Sequence, residues 1–363
     1  MAVYAHSSPT AAEMMPPPVR RTPLREVFFG DLFSACLSVA AIGLLWSLLP
    51  ALNWATLDAV WVTDDPGECR AGGACWAFIA DKLRFILFGI YPPEEQWRPL
   101  LVIGLILGMT LISLPPKAWS TKLLAGWIAA IAAMLALMWG GFAGMSFVPT
   151  GKWGGLPVTL LLALLSLSLA FPLAVVLALG RRSNRVVPRL LSVLSIEIVR
   201  GLPLVGLLFV ASIMLPLLLP QSWTIDKLGR TLAALTIFAA AYLAEVIRGG
   251  LQGVPQGQGE AAEALGIPRW KIVWHIILPQ AIQKVIPPLT NTAIVMVKNT
   301  SLVLIVGVFD MLSAGRSAAT DPEWPAPFAE SYIFVGAIYF LICFGISLYS
   351  RWLEEGIHSR EYK

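Results

Sequence analysis

A helix needs about 20 mostly apolar residues to cross a bilayer, and this chain supplies such runs repeatedly. They are Leu32 to Leu52, Leu100 to Leu114, Leu123 to Trp139, Pro157 to Leu179, Leu190 to Leu219, Thr231 to Ile247, Ile276 to Val308 and Ser331 to Trp352. The second is short, and the fifth and seventh are long and interrupted. A further apolar patch, Phe85 to Tyr91, is too short to span and reads as an interfacial or re-entrant piece. With 57% hydrophobic and only 13% charged residues, the chain could not cover its own surface in water, where about 25% charge is usual. The expected fold is all-α: a polytopic membrane protein with about eight transmembrane helices.

Basic residues orient these spans. Lys117 and Lys122 lie between the second and third, and Arg181, Arg182, Arg185 and Arg189 between the fourth and fifth. Arg248, Arg269, Lys271 and Lys284 lie between the sixth and seventh, and Arg351 and Arg360 follow the eighth. The alternate loops hold Asp64, Asp65, Glu68, Asp321 and Glu323. Loops rich in Lys and Arg stay in the cytoplasm, so both termini are expected there; Lys82 and Arg84 run against the pattern. Residues 1–24, polar and rich in Pro, read as a disordered cytoplasmic tail. Leu32 to Leu52 is too long for the apolar part of a signal peptide and is expected to be kept as a span. A net charge of +4 is too small to argue for nucleic acid.

Cys36 and Cys343 sit inside apolar runs and read as small hydrophobic fillers. Cys69 and Cys75 lie in the polar loop that the charge pattern turns outward; a disulfide in an oxidising compartment or two free thiols are both open. Two cysteines with no His in that loop make a poor zinc site, so no metal is expected. The sequence contains no Gly-x-x-x-x-Gly-Lys-Ser/Thr phosphate loop, no His-Glu-x-x-His pattern and no convincing hydrolase triad. The chain therefore reads as a non-enzyme without a cofactor of its own, and any energy must come from a partner or from an ion gradient.

The most informative stretch follows the sixth span. Glu260-Ala261-Ala262-Glu263-Ala264-Leu265 is a short Ala-rich helical segment. Gly266 suits its left-handed end, and Pro268 the start of another helix. The small helix-turn-helix this builds at the membrane face is either an ordinary amphipathic loop or a docking element whose alanines let a partner backbone come close.

Glu260-Ala-Ala, three residues, Gly266, nine residues, then Ile276-Ile-Leu-Pro279 resembles the cytoplasmic signature of ABC importer permeases. Its flanks resemble the polar amino-acid subfamily: Tyr242-Leu-Ala-Glu245-Val-Ile-Arg248-Gly-Gly, Pro287-Pro288-Leu289-Thr290-Asn291, Lys298-Asn299-Thr300-Ser301-Leu302 and the earlier Glu197-Ile-Val-Arg200-Gly-Leu-Pro203. The likeness runs in one order from Trp153 to Glu355, and is greatest to the long subunits of general L-amino-acid permeases. It implies a type I importer core of five helices at 153–357, with a coupling loop at 249–279. An extension at 25–152 with three helices and a periplasmic loop precedes it, and a cytoplasmic tail at 358–363 follows. It implies that Glu260, Ala261, Ala262, Ala264, Leu265 and Gly266 dock on a cytoplasmic ABC ATPase dimer, which holds the ATP and Mg. It further implies a second permease subunit, a sister chain rather than a copy, a periplasmic amino-acid-binding protein, and residence in the bacterial inner membrane among lipid.

A charge within a span costs at least about 2.5 kcal/mol and should face protein or water. Lys298, with Asn299, Thr300 and Ser301 beside it, reads as a break in the seventh span that either lines a solute cavity or closes into a bonded polar turn. Glu197 and Arg200 are three apart, as are Glu245 and Arg248, so each pair could meet on one helix face near the cytoplasmic end of its span. They serve as interfacial ion pairs, as gate supports or as solute contacts. An ion-coupled secondary transporter is the alternative function; it predicts an internal repeat that the chain does not visibly have.

Overall fold

The computed structural model describes residues 28–70, 72–220 and 225–361. The tail expected at 1–24 and residues 362–363 lie outside the described residues. Among the described residues there are helices and no strands, beyond two isolated bridges. The chain forms two compact units, residues 1–59 with 71–74, and residues 60–70 with 75–363.

The first unit is built on α1 (Leu32–Thr56), capped by Asp31, whose carboxylate accepts from the Ser34 N–H at 2.6 Å. The Ala74 N–H donates to the Trp54 carbonyl near its end.

In the second unit, α2 (Trp76–Phe88) is followed by the hairpin α3 (Trp97–Ser113) and α4 (Thr121–Trp139), and then by α5 (Gly155–Arg181). Next come α6 (Val186–Gly201), α7 (Leu204–Phe209) and α8 (Leu215–Leu218), the last two joined by a π turn at Val210–Met214. They lead to α9 (Lys227–Gly253), α10 (Gln256–Ala264) and α11 (Arg269–Lys271). A π turn at Ile272–Ile277 then leads to α12 (Leu278–Lys284) and α13 (Ile286–Asn299), which tightens into a 3-10 segment at Thr300–Val306. The chain closes with α14 (Met311–Ala318) and α15 (Phe328–Glu361), which carries helix into the residues expected to form a tail.

Among the described residues, seven helices are long and apolar enough to cross a membrane; an eighth crossing results if the bent pair Val186–Gly201 and Leu204–Leu218 is one span. That pair is where the run from Leu190 to Leu219, expected to be interrupted, is broken. Its halves meet at 105°, because Pro203 lacks an N–H and pushes Leu202 into extended backbone (ψ 139°). The first half is amphipathic, with Arg189, Glu197 and Arg200 set against Leu190, Leu191 and Leu194. The first turn of the patch Phe85 to Tyr91 closes α2.

The largest core lies between α5 and α9. Ala170, Ala174 and Ala178 recur every fourth residue on α5 and face Ala240, Ala244 and Ile247 of α9. Small residues at such a seam let two backbones approach, which is how helices associate where lipid removes the hydrophobic drive. A second cluster gathers α2, α14 and α15. Phe78 and Ile86 of α2 are fully buried with Met311, and Phe78 meets Trp324 edge-on at 5.7 Å between ring centres. Cys69 and Cys75 are joined by a disulfide at this end, and the Cys75 N–H donates to the buried Glu330 carboxylate at 2.8 Å. Lys82 and Arg84, out of place by charge pattern, are both answered locally. Lys82 pairs with Asp321 at 2.7 Å and Asp81 at 3.1 Å; Arg84 donates to Gln96 at 3.0 Å.

Candidate functional site

At one end of α9 the chain turns through Val254 and Pro255 into α10. Gly266 adopts φ +73°, and its N–H donates to the Glu263 carbonyl at 2.9 Å while the Ile267 N–H reaches back to Ala262 at 3.1 Å. This left-handed helix end satisfies otherwise orphaned carbonyls and needs glycine. Ala262 is buried against the following π turn; Glu260, Ala261, Ala264 and Leu265 are exposed, Leu265 at 79%. Trp270 and Trp274 stand exposed beside them, at 59% and 51%. Behind the knob, a Cβ on Gly250 would collide with the Ala281 carbonyl, so α9 and α12 touch backbone to backbone. The result is a firmly seated projection that exposes Leu265.

The same end of the helices carries an ionic cluster. Glu245 on α9 meets Arg248 at 3.0 Å, Arg181 of α5 at 2.9 Å and Arg200 of α6 at 3.7 Å. The Glu245–Arg248 pair thus forms as spacing suggests. Glu197 and Arg200 do not pair with each other: Glu197 turns to Arg181 at 2.8 Å, and Arg200 reaches Glu245 and lies over the Tyr242 ring at 5.7 Å. Arg181, expected only to orient a loop, is the bridge between the two acids. Tertiary packing of α5 against α6 and α9 brings it there, and no local pattern announces it.

At the far end of α13, the helix tightens where the polar residues begin. The Thr300 hydroxyl donates to the Val297 carbonyl and the Ser301 hydroxyl to Lys298, both at 2.7 Å. Asn299 contacts the Met296 sulfur at 3.9 Å. Lys298 is exposed, and with Ser301, Tyr332 and Tyr339 it borders a cavity of about 200 Å³. Hydroxyls already bonded along the helix coexist here with a free ammonium facing a cavity.

Behind this cavity lies a buried polar network without a sequence signal. Asp310 is fully buried and caps α14, accepting from the Leu312 and Ser313 N–H groups at 3.2 and 3.0 Å, from the Ser313 hydroxyl, and from the Tyr339 hydroxyl at 3.4 Å. The Tyr339 oxygen lies 3.3 Å from the Thr300 hydroxyl, and the Thr159 hydroxyl of α5 accepts from the Met311 N–H at 3.1 Å. Burial pushes the Asp310 carboxyl above its ordinary range, and these hydrogen bonds pull against it. Among the described residues no cluster of His, Cys, Asp and Glu could hold a metal.

The site joins long apolar helices, an exposed knob at one end and polar clusters near both ends. Residues 170–359 match the binding-protein-dependent transport system inner membrane components, and the chain belongs to that family. Membership makes it an inner-membrane permease of the ABC importer type, with ATP hydrolysis on a separate ATPase and solute supplied by a binding protein. It is similar to the inner membrane amino-acid ABC transporter permease protein YhdY of Escherichia coli strain K12, at 42% identity over 92% of this chain and 91% of that one. It is also similar to the glutamate/glutamine/aspartate/asparagine transport system permease protein BztC of Rhodobacter capsulatus, at 34% identity over 91% of each chain. Both alignments extend through most of residues 25–152, which the family match leaves out. A crystal structure of an amino acid ABC transporter with histidines superposes with a TM-score of 0.50 and 31% identity, over 55% of this chain and 91% of that chain.

Proposed function

We propose that the chain is one of two permease subunits of an importer for polar or general L-amino acids. A periplasmic amino-acid-binding protein feeds it and a cytoplasmic ABC ATPase dimer, which holds ATP and Mg, drives it. The exposed knob from Glu260 to Gly266 carries the coupling part of this reading: a short, well-anchored helix whose end offers Leu265 to a groove. The solute class is supported by the likeness to YhdY and BztC, both named for amino acids. Both termini and the knob face the cytoplasm, as the basic loops require, and the Cys69–Cys75 loop faces outward. The second permease is a sister chain rather than a copy, a reading supported by the resemblance to the long subunits of such systems.

In this mechanism, ATP binding draws the ATPases together and the knobs carry that motion into α9 and α12, which opens the pathway outward. Hydrolysis returns it. Lys298, with Asn299, Thr300 and Ser301, lines the pathway where a zwitterion needs a cation near the midplane. Glu245 with Arg248, Arg181 and Arg200, and Glu197 beside them, ties the inner ends of α5, α6 and α9 and acts as the inner gate.

Purification of the tagged chain in mild detergent, with its companions identified by mass spectrometry, tests the assembly: an ATPase and a sister permease are expected. Two copies of this chain without a sister would sink the heteromeric assignment. Uptake that collapses with an ionophore while ATP stays high would sink the ATP coupling.

A further inference from the structure

The 3-10 segment at Thr300–Val306 has a geometric consequence for the pathway. Side chains three apart eclipse one another in such a helix. Ser301 and Leu304 therefore lie on one line, with Lys298 a turn before and Gly307, the left-handed end of the segment, a turn after. Lys298 and Ser301 border the 200 Å³ cavity already described. Leu304 and Gly307 border a second cavity of about 250 Å³, whose other wall is the α14 face of Ser313, Arg316, Ser317 and Thr320. Successive positions of one stripe thus border the two cavities, Ser301 the first and Leu304 the second.

The second cavity has one cation in its wall, Arg316, and another beside it, Lys227. Arg316 is exposed and has no ion partner among the described residues. The Lys227 ammonium lies 3.3 Å from where a Gly307 Cβ would stand, and it too has no ion partner among the described residues. Of the acids nearest in sequence, Asp310 is buried in its cap, Asp321 is paired with Lys82, and Asp226 beside Lys227 caps α9, accepting from the Leu228 N–H at 3.0 Å. This end of the molecule is opposite the knob, since α9 starts here at Lys227 and ends at Gly253 beside α10. A volume below the roughly 300 to 1,000 Å³ typical of drug-sized ligands suits one small solute.

Building on the amino-acid-importer reading, we infer that the cavity at Arg316 is an outer station for the amino-acid zwitterion, ahead of the Lys298 station. The Arg316 guanidinium takes the α-carboxylate through a charge-assisted hydrogen bond. Lys227 adds a second positive charge. The Ser317 and Thr320 oxygens accept from the ammonium group. Passage along the stripe moves the carboxylate from one cation to the next.

The test is uptake of radiolabelled L-glutamate and L-glutamine by proteoliposomes holding the whole complex with its binding protein. Arg316→Gln is expected to slow uptake about tenfold or more, the loss of one charge-assisted hydrogen bond. Arg316→Lys, which keeps the charge, should stay within about threefold, and Leu304→Trp, which adds bulk to the lining of the outer station, should fall as far as Arg316→Gln. Wild-type uptake by Arg316→Gln overturns the outer station. So does an Arg316→Lys protein as slow as Arg316→Gln, which would mean the residue acts through packing. An Arg316→Gln complex whose ATPase no longer responds to loaded binding protein would make Arg316 a docking residue and overturn it too. Failure of the wild-type complex to import either amino acid is a separate result, and would remove the importer reading itself.

Discussion

Glu245 and Glu197 carry the same charge on neighbouring helices but do different work. Glu245 is 15% exposed and faces three guanidinium groups; Glu197 is 54% exposed and meets one. Removing one member of a part-buried ionic group costs more than removing one of an exposed pair, which is worth about 1 kcal/mol at most. Glu245→Gln should therefore lower the melting temperature of the detergent-solubilised complex by several degrees more than Glu197→Gln does; equal shifts would refute the cluster as a tie between helices. Spacing alone foretold the Glu245–Arg248 pair but not Arg181, which lies 64 positions earlier in the chain. Asp310 was less legible still, because hydroxyls and a capping acid are common in any membrane protein and only the fold brings them together. Its raised carboxyl pKa has a definite sign. The folded state holds the proton more tightly than the unfolded state, so this group's contribution to stability is greatest at low pH and declines as pH rises from the ordinary carboxylate value of 3.8 through the raised one. Carboxylates held low, such as Asp321 beside Lys82, act in the opposite sense. The diagnostic is thus the difference between wild type and Asp310→Asn, which can still cap α14: the advantage of Asn should grow with pH across that window in thermal melts. A constant difference would mean Asp310 does not titrate there.

At the scale of elements, hydropathy located the spans well because lipid imposes a length and a polarity on each helix. It said little about how a span is interrupted. Pro203 marks the interruption, but the 105° angle between the two halves is not written in the hydropathy on either side of it. The tightening of α13 at Thr300 is equally silent in hydropathy, and it creates the line of positions that borders the two cavities. The knob was the most legible element, since Gly266 and Pro268 state its turn chemistry directly. That allows its fold and its coupling role to be separated. Leu265→Asp, at an exposed position, should change stability by no more than about 0.5 kcal/mol and yet uncouple ATP hydrolysis from uptake. Gly266→Val forces a branched residue into left-handed backbone at a cost of about 1 to 2 kcal/mol, so it should loosen the knob as well. Full coupling in Leu265→Asp would remove that side chain from the docking surface.

For the larger of the two units, the least legible relation is the one between the extension and the family core. Residues 25–152 and 153–357 read in sequence as successive segments, but α2 of the former is packed into the latter. Phe78 and Ile86 bury themselves among Met311, Ala318 and Trp324, and Asp81 accepts from the Trp324 indole N–H at 3.2 Å. The turn after α2 is just as close: Gly155 donates its N–H to the Phe309 carbonyl at 2.9 Å, and a side chain on Gly89 would strike that crossing. Because α14 carries Arg316 on one face and rests on α2 with another, the extension supports the very element that lines the outer cavity. Phe78→Ala should then cost about 3 to 5 kcal/mol, the range for emptying a buried aromatic site. Ile128→Ala on α4, 63% exposed on a face suited to lipid, should cost close to nothing in the same thermal melt. Uptake should follow stability only at Phe78. If Phe78→Ala melts like wild type, α2 is an ornament on the core rather than part of its foundation.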